Sequence, residues 1–155
     1  MRAFKLNLHD LMIHYKFAEL EEIAQQLRAQ PASNANGFSQ PAFYAAISPD
    51  AFNYTNWEEA MSEFSYWGKA YPDSYVRREA EATCLISYAS EARGGGYANQ
   101  VTDQGWKDFH SRIRQAHEDL EWAQSYGGDA SSFSTMIVVG MAESAPKDTL
   151  IALCD

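Results

Sequence analysis

The sequence predicts an all-α domain in which antiparallel helix pairs stack into an array of about seven helices. Apolar residues recur at steps of three and four along most of the 155 residues, the spacing that places side chains on one face of a helix. No segment alternates apolar and polar residues as a half-buried strand does, and there is no strand–helix–strand rhythm. Proline and glycine separate the periodic segments at short intervals, so consecutive helices are expected to fold back against each other.

Composition indicates one folded domain spanning residues 1–155. Hydrophobic residues make up 46% of the chain and charged residues only 21%, a balance that excludes a disordered chain. The 21 Asp and Glu outnumber the 12 Lys and Arg, which gives a formal charge of −9. Because a nucleic-acid binder needs the opposite sign and a basic cluster, we expect no nucleic-acid partner.

The same composition predicts a cytoplasmic protein. No apolar run approaches the roughly 20 residues that span a bilayer. The first residues, interrupted by His9, Asp10 and His14, lack the features of a signal peptide. Cys84 and Cys154 lie far apart, and we expect two reduced, half-buried thiols, with a disulfide as the alternative.

The N-terminal part contains two predicted helices and a long connection. The apolar stripe of the first helix is Leu8, Leu11, Met12 and Tyr15, and that of the second is Leu20, Ile23, Ala24 and Leu27. The two helices are separated by a break near Lys16, and the second ends before Pro31. Residues 30–40 are dense in Pro, Asn, Ser and Gly, which predicts a loop, and a short helix follows from Pro41.

The stretch "TNWEEAMSEFSYWGKAYP" predicts the next helix. Thr55 and Glu58 have the spacing of a capping box at its start, and Pro72 stops it. Its apolar face is predicted to contain Trp57, Ala60, Met61, Phe64, Gly68 and Tyr71. The following helix is "DSYVRREAEATCLISYASEAR", with Asp73 or Ser74 as its N-cap. Because its apolar residues lie almost all the way round, this helix is expected in the middle of the domain.

The most regular periodicity belongs to "TDQGWKDFHSRIRQAHEDLEWAQSYGG". Its apolar stripe is Trp106, Phe109, Ile113, Ala116, Leu120 and Ala123. Thr102 is the predicted N-cap, with Val101 and Trp106 as the ends of a hydrophobic staple, and Gly127 and Gly128 end the helix. "SSFSTMIVVGMAES" and "PKDTLIALCD" predict two more helices, although "STMIVVGM" alone has strand-like β-branching.

The three consecutive glycines in "EARGGGYANQ" raise the question of a phosphate-binding loop. Gly94, Gly95 and Gly96 follow a helix rather than a strand, and the lysine and Ser/Thr of a phosphate-binding P-loop are missing. The segment is therefore predicted to cap one helix and connect it to the next. The alternative is a functional loop that presents Arg93 and Tyr97.

Other candidate sites are few. His110 and His117 lie two helical turns apart, about 10 Å, which is too far for one metal ion. Both flank the apolar stripe of their helix, and we expect boundary histidines that are hydrogen-bonded to neighbouring helices. No nucleophile elbow or comparable catalytic signature is present, so no catalytic residue, metal or cofactor is assigned. Trp122 lies opposite the apolar stripe of its helix. We expect a neighbouring helix such as "FSTMIVVGM" to cover it, and the alternative is an exposed anchor for a partner protein.

Ala60, Phe64 and Pro72 reproduce the A-x-x-x-F…P spacing in the second helix of a tetratricopeptide repeat. The segment "YKFAELEEIAQQL" also looks like the turn and second helix of such a unit. A regular 34-residue period is absent, so the resemblance concerns helix pairing rather than complete repeats.

A second resemblance extends roughly from Trp57 to Asp155. The chain resembles the bacterial domain-of-unknown-function family 4034, whose members share an E-A-R-G-x-G-Y/W-A loop followed by a G-W-x-x-F helix start. The matching residues are Glu91, Ala92, Arg93, Gly94, Gly96, Tyr97, Ala98, Gly105, Trp106 and Phe109. The resemblance implies a bacterial helical-repeat protein with no assigned activity, and it implies further helices beyond Asp155. We therefore expect either a fragment of a longer protein or a homodimer in which a second copy covers the last helix.

Three functions follow as hypotheses. The first is a non-enzymatic, TPR-like protein-interaction domain, because stacked helix pairs leave an outer face that needs a cap or a partner. Its candidate interaction residues are Glu91, Arg93, Gly94, Gly96, Tyr97, Trp106 and Trp122. The second is an immunity protein that neutralises a bacterial toxin, since negative charge can mask a basic active site. The third is an enzyme for a small substrate, with its site beside the glycine loop.

Overall fold

The computed structural model describes residues 2–29, 40–47, 56–127, 130–144 and 147–152, and these residues are helical without any strand. They form α1 (Arg2–Ile13), α2 (Phe17–Ala29), α3 (Gln40–Ile47), α4 (Trp57–Ala70), α5 (Tyr75–Arg93), a 3₁₀ helix (Ala98–Gln100), α6 (Asp103–Ser125), α7 (Ala130–Ala142) and α8 (Lys147–Ala152). The all-α prediction is confirmed, with eight described α-helices against about seven expected. The predicted loop at 30–40 lies outside the described residues, except for Gln40, which begins α3.

Two of the predicted helix starts are confirmed by their hydrogen bonds. Ser74 Oγ accepts a hydrogen bond from the backbone N–H of Arg77 at 2.9 Å, which makes Ser74 rather than Asp73 the N-cap of α5. Thr102 Oγ1 accepts from the backbone N–H of Gly105 at 3.0 Å at the start of α6. Each hydroxyl satisfies one of the amides that a helix start leaves without a partner.

The predicted capping box of α4 is wrong by one residue. Asn56, not Thr55, is the N-cap, and its Oδ1 accepts from the backbone N–H of Glu59 at 3.2 Å. Asn56 Nδ2 in turn donates to Glu59 Oε2 at 2.9 Å. Asparagine caps a helix as well as threonine does, so the choice between neighbouring positions depends on local geometry that the sequence pattern does not reveal.

Two tyrosines predicted on helix stripes lie just beyond helix ends. Tyr15 follows the end of α1 with a φ of 56°, and its ring contacts Phe17 and Tyr66 with centroid separations of 5.8 and 5.4 Å. Tyr71 is the C-cap of α4, and its N–H donates to the carbonyl of Trp67 at 2.8 Å. Both aromatic rings therefore pack from turns rather than from helical positions.

Helix α5 is the centre of the fold, as its sequence predicts. One face, containing Val76, Ala80 and Cys84, packs in a core cluster with residues of α1, α2, α3 and α4. The opposite face, containing Ala82, Leu85 and Ala89, packs in a second cluster with residues of α6 and α7. Cys84 is fully buried rather than half-buried, and Cys154 lies outside the described residues.

One carboxylate joins three helices of the first cluster. Glu21 Oε1 on α2 accepts from the indole Nε1 of Trp67 on α4 at 2.8 Å, and it also accepts from the hydroxyl of Ser74 at the start of α5. The ring of Trp67, which is fully buried, stacks on Phe17 with a centroid separation of 5.6 Å. The aromatic stack thus buries the apolar surface of the Trp67 ring, while the carboxylate satisfies its indole N–H.

Helices α5 and α6 form the most extensive interface between elements. Ala82, Ala89, Ala116 and Ala123 are fully buried there, and small side chains allow two helix axes to approach closely. At the first turn of α6 the two backbones approach so closely that a Cβ on Gly105 would lie 2.7 Å from the carbonyl oxygen of Ala92. Gly105 is therefore needed where the start of α6 meets the end of α5.

Within the described residues, no helix is both long and apolar enough to cross a membrane.

Among the described residues, no opposite charge offsets the burial of one carboxylate on α4. Glu63 is 8% exposed, and burial together with the nearby charge of Glu59 raises the pKa of Glu63 to about 7. Loss of water disfavours the charged form of a carboxyl group. Glu63 is therefore largely protonated in the folded protein at mildly acidic pH.

The close approach at Gly105 gives the first prediction. Gly105→Ala is expected to lower the free energy of unfolding by about 1–2 kcal/mol, because overpacking against a backbone atom costs about 1–3 kcal/mol and the gain in helix propensity is at most about 1 kcal/mol. The matched control is Gly95→Ala, since a Cβ there meets no atom within 4 Å. Urea titration of both variants measures the difference. A Gly105→Ala variant as stable as Gly95→Ala would contradict the close approach.

Glu63 gives a pH-dependent prediction. Its folded pKa lies above the ordinary value of 4.5, so between these two values the unfolded chain releases the proton while the folded chain retains it. Folding stability therefore falls as pH rises through this window. Glu63→Gln removes the ionisation and is expected to increase the free energy of unfolding, by at most about 3 kcal/mol near pH 8 and progressively less toward pH 5.

Denaturant titrations at several pH values test this expectation, with Glu22→Gln on the exposed side of α2 as the control for a general change in net charge. If the advantage of Glu63→Gln is the same at all pH values, the buried ionisation of Glu63 does not contribute.

Candidate functional site

The glycine segment connects α5 to α6, as the sequence predicts. Gly94 is the C-cap of α5, with a φ of 72° that favours glycine. Its N–H donates to the carbonyls of Ser90 and Glu91, both at 3.0 Å. The chain then passes through the 3₁₀ helix, where the Gln100 side-chain oxygen accepts from the backbone N–H of Tyr97 at 3.1 Å. These backbone amides are used to end one helix and shape the connection.

Several candidate interaction residues are exposed on this connection. The side chain of Tyr97 is 82% exposed, the highest value among the large apolar side chains described. Glu91, Gly94 and Gly96 are also exposed. A Cβ on Gly96 would meet only the flexible side chain of Gln100, so this glycine is not fixed by a rigid neighbour. None of these four residues lines the cleft described next.

Arg93 and Trp106, in contrast, come together at the mouth of a cleft. The guanidinium of Arg93 lies over the indole ring of Trp106, 5.9 Å from its centroid, near the outer limit of a cation–π contact. Trp106 also stacks on His110, with ring centroids 5.6 Å apart. The end of α5 and the start of α6 therefore present a cation beside two aromatic rings.

The cleft lies between α5, α6 and α7 and has a volume of about 590 Å³. We call it the α5–α7 cleft, and it is lined by Ile86, Ser90, Arg93, Trp106, Phe109, His110, Ile113, Val138, Met141, Ala142 and Ser144. Most of these side chains are apolar, and none is a carboxylate. In a protein with a charge of −9, this surface is neutral to positive.

The wall of the cleft formed by α7 continues onto an exposed apolar surface. Helix α7 contains no charged residue, and Phe133, Val138 and Met141 are 41%, 49% and 66% exposed. We call these three residues the outer face of α7. Single exposed apolar residues are ordinary, whereas three on one uncharged helix, two of them lining a cleft, mark a candidate interaction surface.

Trp122 lies elsewhere. At 100° per residue it is roughly 160° round α6 from Trp106, so it is on the opposite flank of that helix. Its ring stacks on Tyr126 with centroids 4.2 Å apart, and the guanidinium of Arg78 lies 4.6 Å from its centroid. These contacts come from α5 and the end of α6, not from α7 as expected, and they leave Trp122 half-buried.

A buried ionic cluster lies beneath Trp122. Arg78 Nη1 pairs with Asp119 Oδ1 at 2.6 Å, and Arg77 pairs with Glu81 on the same helix. Burial raises the pKa of Asp119, although the hydrogen bond from Arg78 counteracts this rise. Burial also raises the pKa of Glu81, as does the charge of Asp119, while Arg77 lowers it. The cations thus offset part of the cost of burying two carboxylates.

The two histidines of α6 have different roles. His117 Nδ1 lies 2.8 Å from Glu143 Oε2, beyond the end of α7, which confirms the predicted hydrogen bond at a helix boundary. His110 is exposed and packs by ring contacts with Trp106 and Phe109, so the corresponding prediction for His110 is wrong. Within the described ranges, no group of three or more His, Cys, Asp or Glu side chains is arranged to hold a metal ion.

Sequence reasoning identified Arg93 and Trp106 but missed Val138 and Met141. The only available signal was the uncharged segment from Ala130 to Ala142, which predicts a helix that is buried on all sides. The outer face of α7 is exposed because few other elements pack against this helix. Such packing is a property of the tertiary structure.

No family model, curated protein or solved structure matches this chain.

The buried cluster yields a prediction about stability. Asp119→Leu is expected to lower the free energy of unfolding by about 3–5 kcal/mol, because it leaves a partly buried guanidinium without its carboxylate. The double variant Arg78→Met, Asp119→Leu is expected to regain most of that loss, since the thioether can pack on Trp122.

Thermal or urea unfolding of wild type, both single variants and the double variant forms a double-mutant cycle. Additive losses, with no recovery in the double variant, would show that the Arg78–Asp119 pair is not coupled.

Proposed function

We propose that this chain is a non-enzymatic protein-interaction domain that binds its partner through the α5–α7 cleft. The observation that carries the proposal is the uncharged helix α7, whose exposed outer face continues into the apolar cleft. Partner surfaces of proteins combine aromatic and Met side chains with Arg and exclude carboxylates from their centre. The cleft has this composition.

The positions of the anchors also fit a binding surface. Interface energy concentrates in Trp, Tyr and Arg side chains, and Arg93 and Trp106 lie in contact at the mouth of the cleft. Tyr97 is presented on the adjacent connection and is almost fully exposed. A partner seated on the cleft could therefore extend onto the glycine connection.

The TPR-like arrangement, membership of the domain-of-unknown-function family 4034, and a cytoplasmic location belong to the same proposal. The support for the first two is the stacking of consecutive helices on both faces of α5 and the motif residues from Glu91 to Phe109. In helical repeat proteins, stacked pairs form an extended surface for partners.

The two alternatives receive less support from this site. A toxin-neutralising protein would use its negative charge to cover a basic active site, but none of the described residues that line the cleft is a carboxylate. An enzyme would need convergent polar groups in the cleft, and the Ser90 hydroxyl there donates to the carbonyl of Ile86 on its own helix.

The proposal is tested by comparative affinity capture from a lysate of the source cell. Met141→Asp places a charge on the exposed outer face of α7 and is expected to reduce recovery of a specific protein by at least about tenfold, because a desolvated charge at an interface costs several kcal/mol. Gln115→Asp, on the exposed side of α6, is the matched control and should leave recovery unchanged.

Circular dichroism and thermal unfolding establish that both variants are folded. Identical sets of captured proteins for wild type and Met141→Asp would overturn the assignment of the cleft as the binding surface.

A further inference from the structure

We propose that the occupant of the α5–α7 cleft is an amphipathic helical segment of a partner protein, with an acidic residue that pairs with Arg93. This inference rests on the proposed function and specifies the chemistry of the partner. Three independent features of the cleft support it: its shape, its charge and the state of Arg93.

The shape favours a peptide segment over a small molecule. A small ligand is usually enclosed on most of its surface, whereas this cleft is open along one side, and its lining residues Val138 and Met141 are strongly exposed. An open apolar groove between helices is the surface on which an amphipathic helix lays its apolar face. The partner's apolar side chains would contact Trp106, Val138 and Met141, three accessible apolar residues of the lining.

The charge favours an acidic partner. Among the described residues that line the cleft, Arg93 and His110 are the only ones with a charged or titratable side chain. The nearest carboxylate along the chain from the end of α7, Glu143, is directed to His117 at 2.8 Å. A basic peptide would therefore meet no complementary group in the cleft, and an acidic one would meet a guanidinium.

Arg93 differs from the other arginines of its helix. Arg77 and Arg78 are in ion pairs with Glu81 and Asp119. By contrast, no carboxylate or other hydrogen-bond acceptor among the described residues binds the guanidinium of Arg93, which lies over the ring of Trp106. A guanidinium that rests on an aromatic ring keeps its N–H edge available for a carboxylate.

One cation also argues for a carboxylate rather than a phosphate. Phosphorylated segments are recognised by clusters of arginines, and Arg93 is the single arginine among the described residues that line the cleft. A single Asp or Glu beside the apolar anchors matches one guanidinium in charge. The partner segment is thus apolar and acidic, and the cleft recognises it through hydrophobic contacts and one charge-assisted hydrogen bond.

The test uses a phage-displayed library of random peptides of roughly 16 residues, between four and five helical turns. Peptides selected on the wild-type chain are expected to combine apolar residues at helical spacing with an excess of Asp and Glu. Selection on Arg93→Glu is expected to shift the excess to Lys and Arg, because the charge preference of the cleft is inverted.

The best wild-type peptide is then titrated by calorimetry. Its Kd is expected to rise about tenfold with Arg93→Gln, and also when the acidic residue of the peptide is replaced by its amide. The two changes together should cost little more than either alone, since both remove the same pair. Arg114→Gln, an exposed arginine of α6 outside the cleft, is the matched control.

The outcomes separate this inference from the proposed function. The inference is overturned if the selected peptides no longer bind Met141→Asp but show no excess of acidic residues, or if their affinity is unchanged by Arg93→Gln. In either case the cleft remains a binding surface. If no peptide depends on Met141, both proposals fail. If sedimentation shows that the wild type is a dimer and Met141→Asp a monomer, the occupant of the cleft is a second copy of the chain, and the proposal of a separate partner protein is wrong. If Met141→Asp does not fold, the same tests are made with Val138→Asp.

Discussion

Helix α5 has to bury two opposite faces at once, and the rest of the structure depends on this constraint. Val76 and Ala80 pack toward α1–α4, while Leu85 and Ala89 pack toward α6 and α7. Neither set of helices buries its apolar face without α5 between them, because a helix with a single apolar stripe can serve only one neighbouring layer. The two cores are therefore two sides of one helix, and they depend on each other through it.

A helix buried on both faces has little surface left for its charged residues, and this explains the ionic cluster. Arg77, Arg78 and Glu81 belong to the first two turns of α5, where α6 contributes Asp119. Water reaches these groups poorly, so each charge needs a partner within the protein. Trp122 lies over Arg78 and closes this polar region, which gives the aromatic ring a structural role that its sequence neighbours did not suggest.

The cleft follows from the way in which α5 ends. Gly94 turns the chain out of the helix, and Gly105 lets α6 begin against the carbonyl of Ala92. This close return places Trp106 beside Arg93 and leaves α7 to form the remaining wall. The glycines are thus architectural, and their contribution to binding is indirect, through the placement of an aromatic ring and a cation.

Much of the fold could be read from the chain because helix formation and capping are local. Apolar spacing predicted α4, α5 and α6, and the N-caps Ser74 and Thr102 satisfy amides within three residues of themselves. The central position of α5 was also readable, since apolar residues on every side of a helix require neighbours on every side. Arg93 and Trp106 were identified because they flank the glycine connection.

What the sequence alone could not decide is which surfaces remain uncovered. Val138 and Met141 belong to a segment as apolar as a buried helix, and their exposure depends on how the other helices are arranged around it. The contact of Trp122 with Arg78 was equally beyond reach, because it joins two different helices. The stacking of Trp122 on Tyr126 and of Trp106 on His110, by contrast, follows the spacing of four residues along the chain. Periodicity specifies which face of a helix is apolar, while packing in three dimensions decides whether that face meets another helix or solvent.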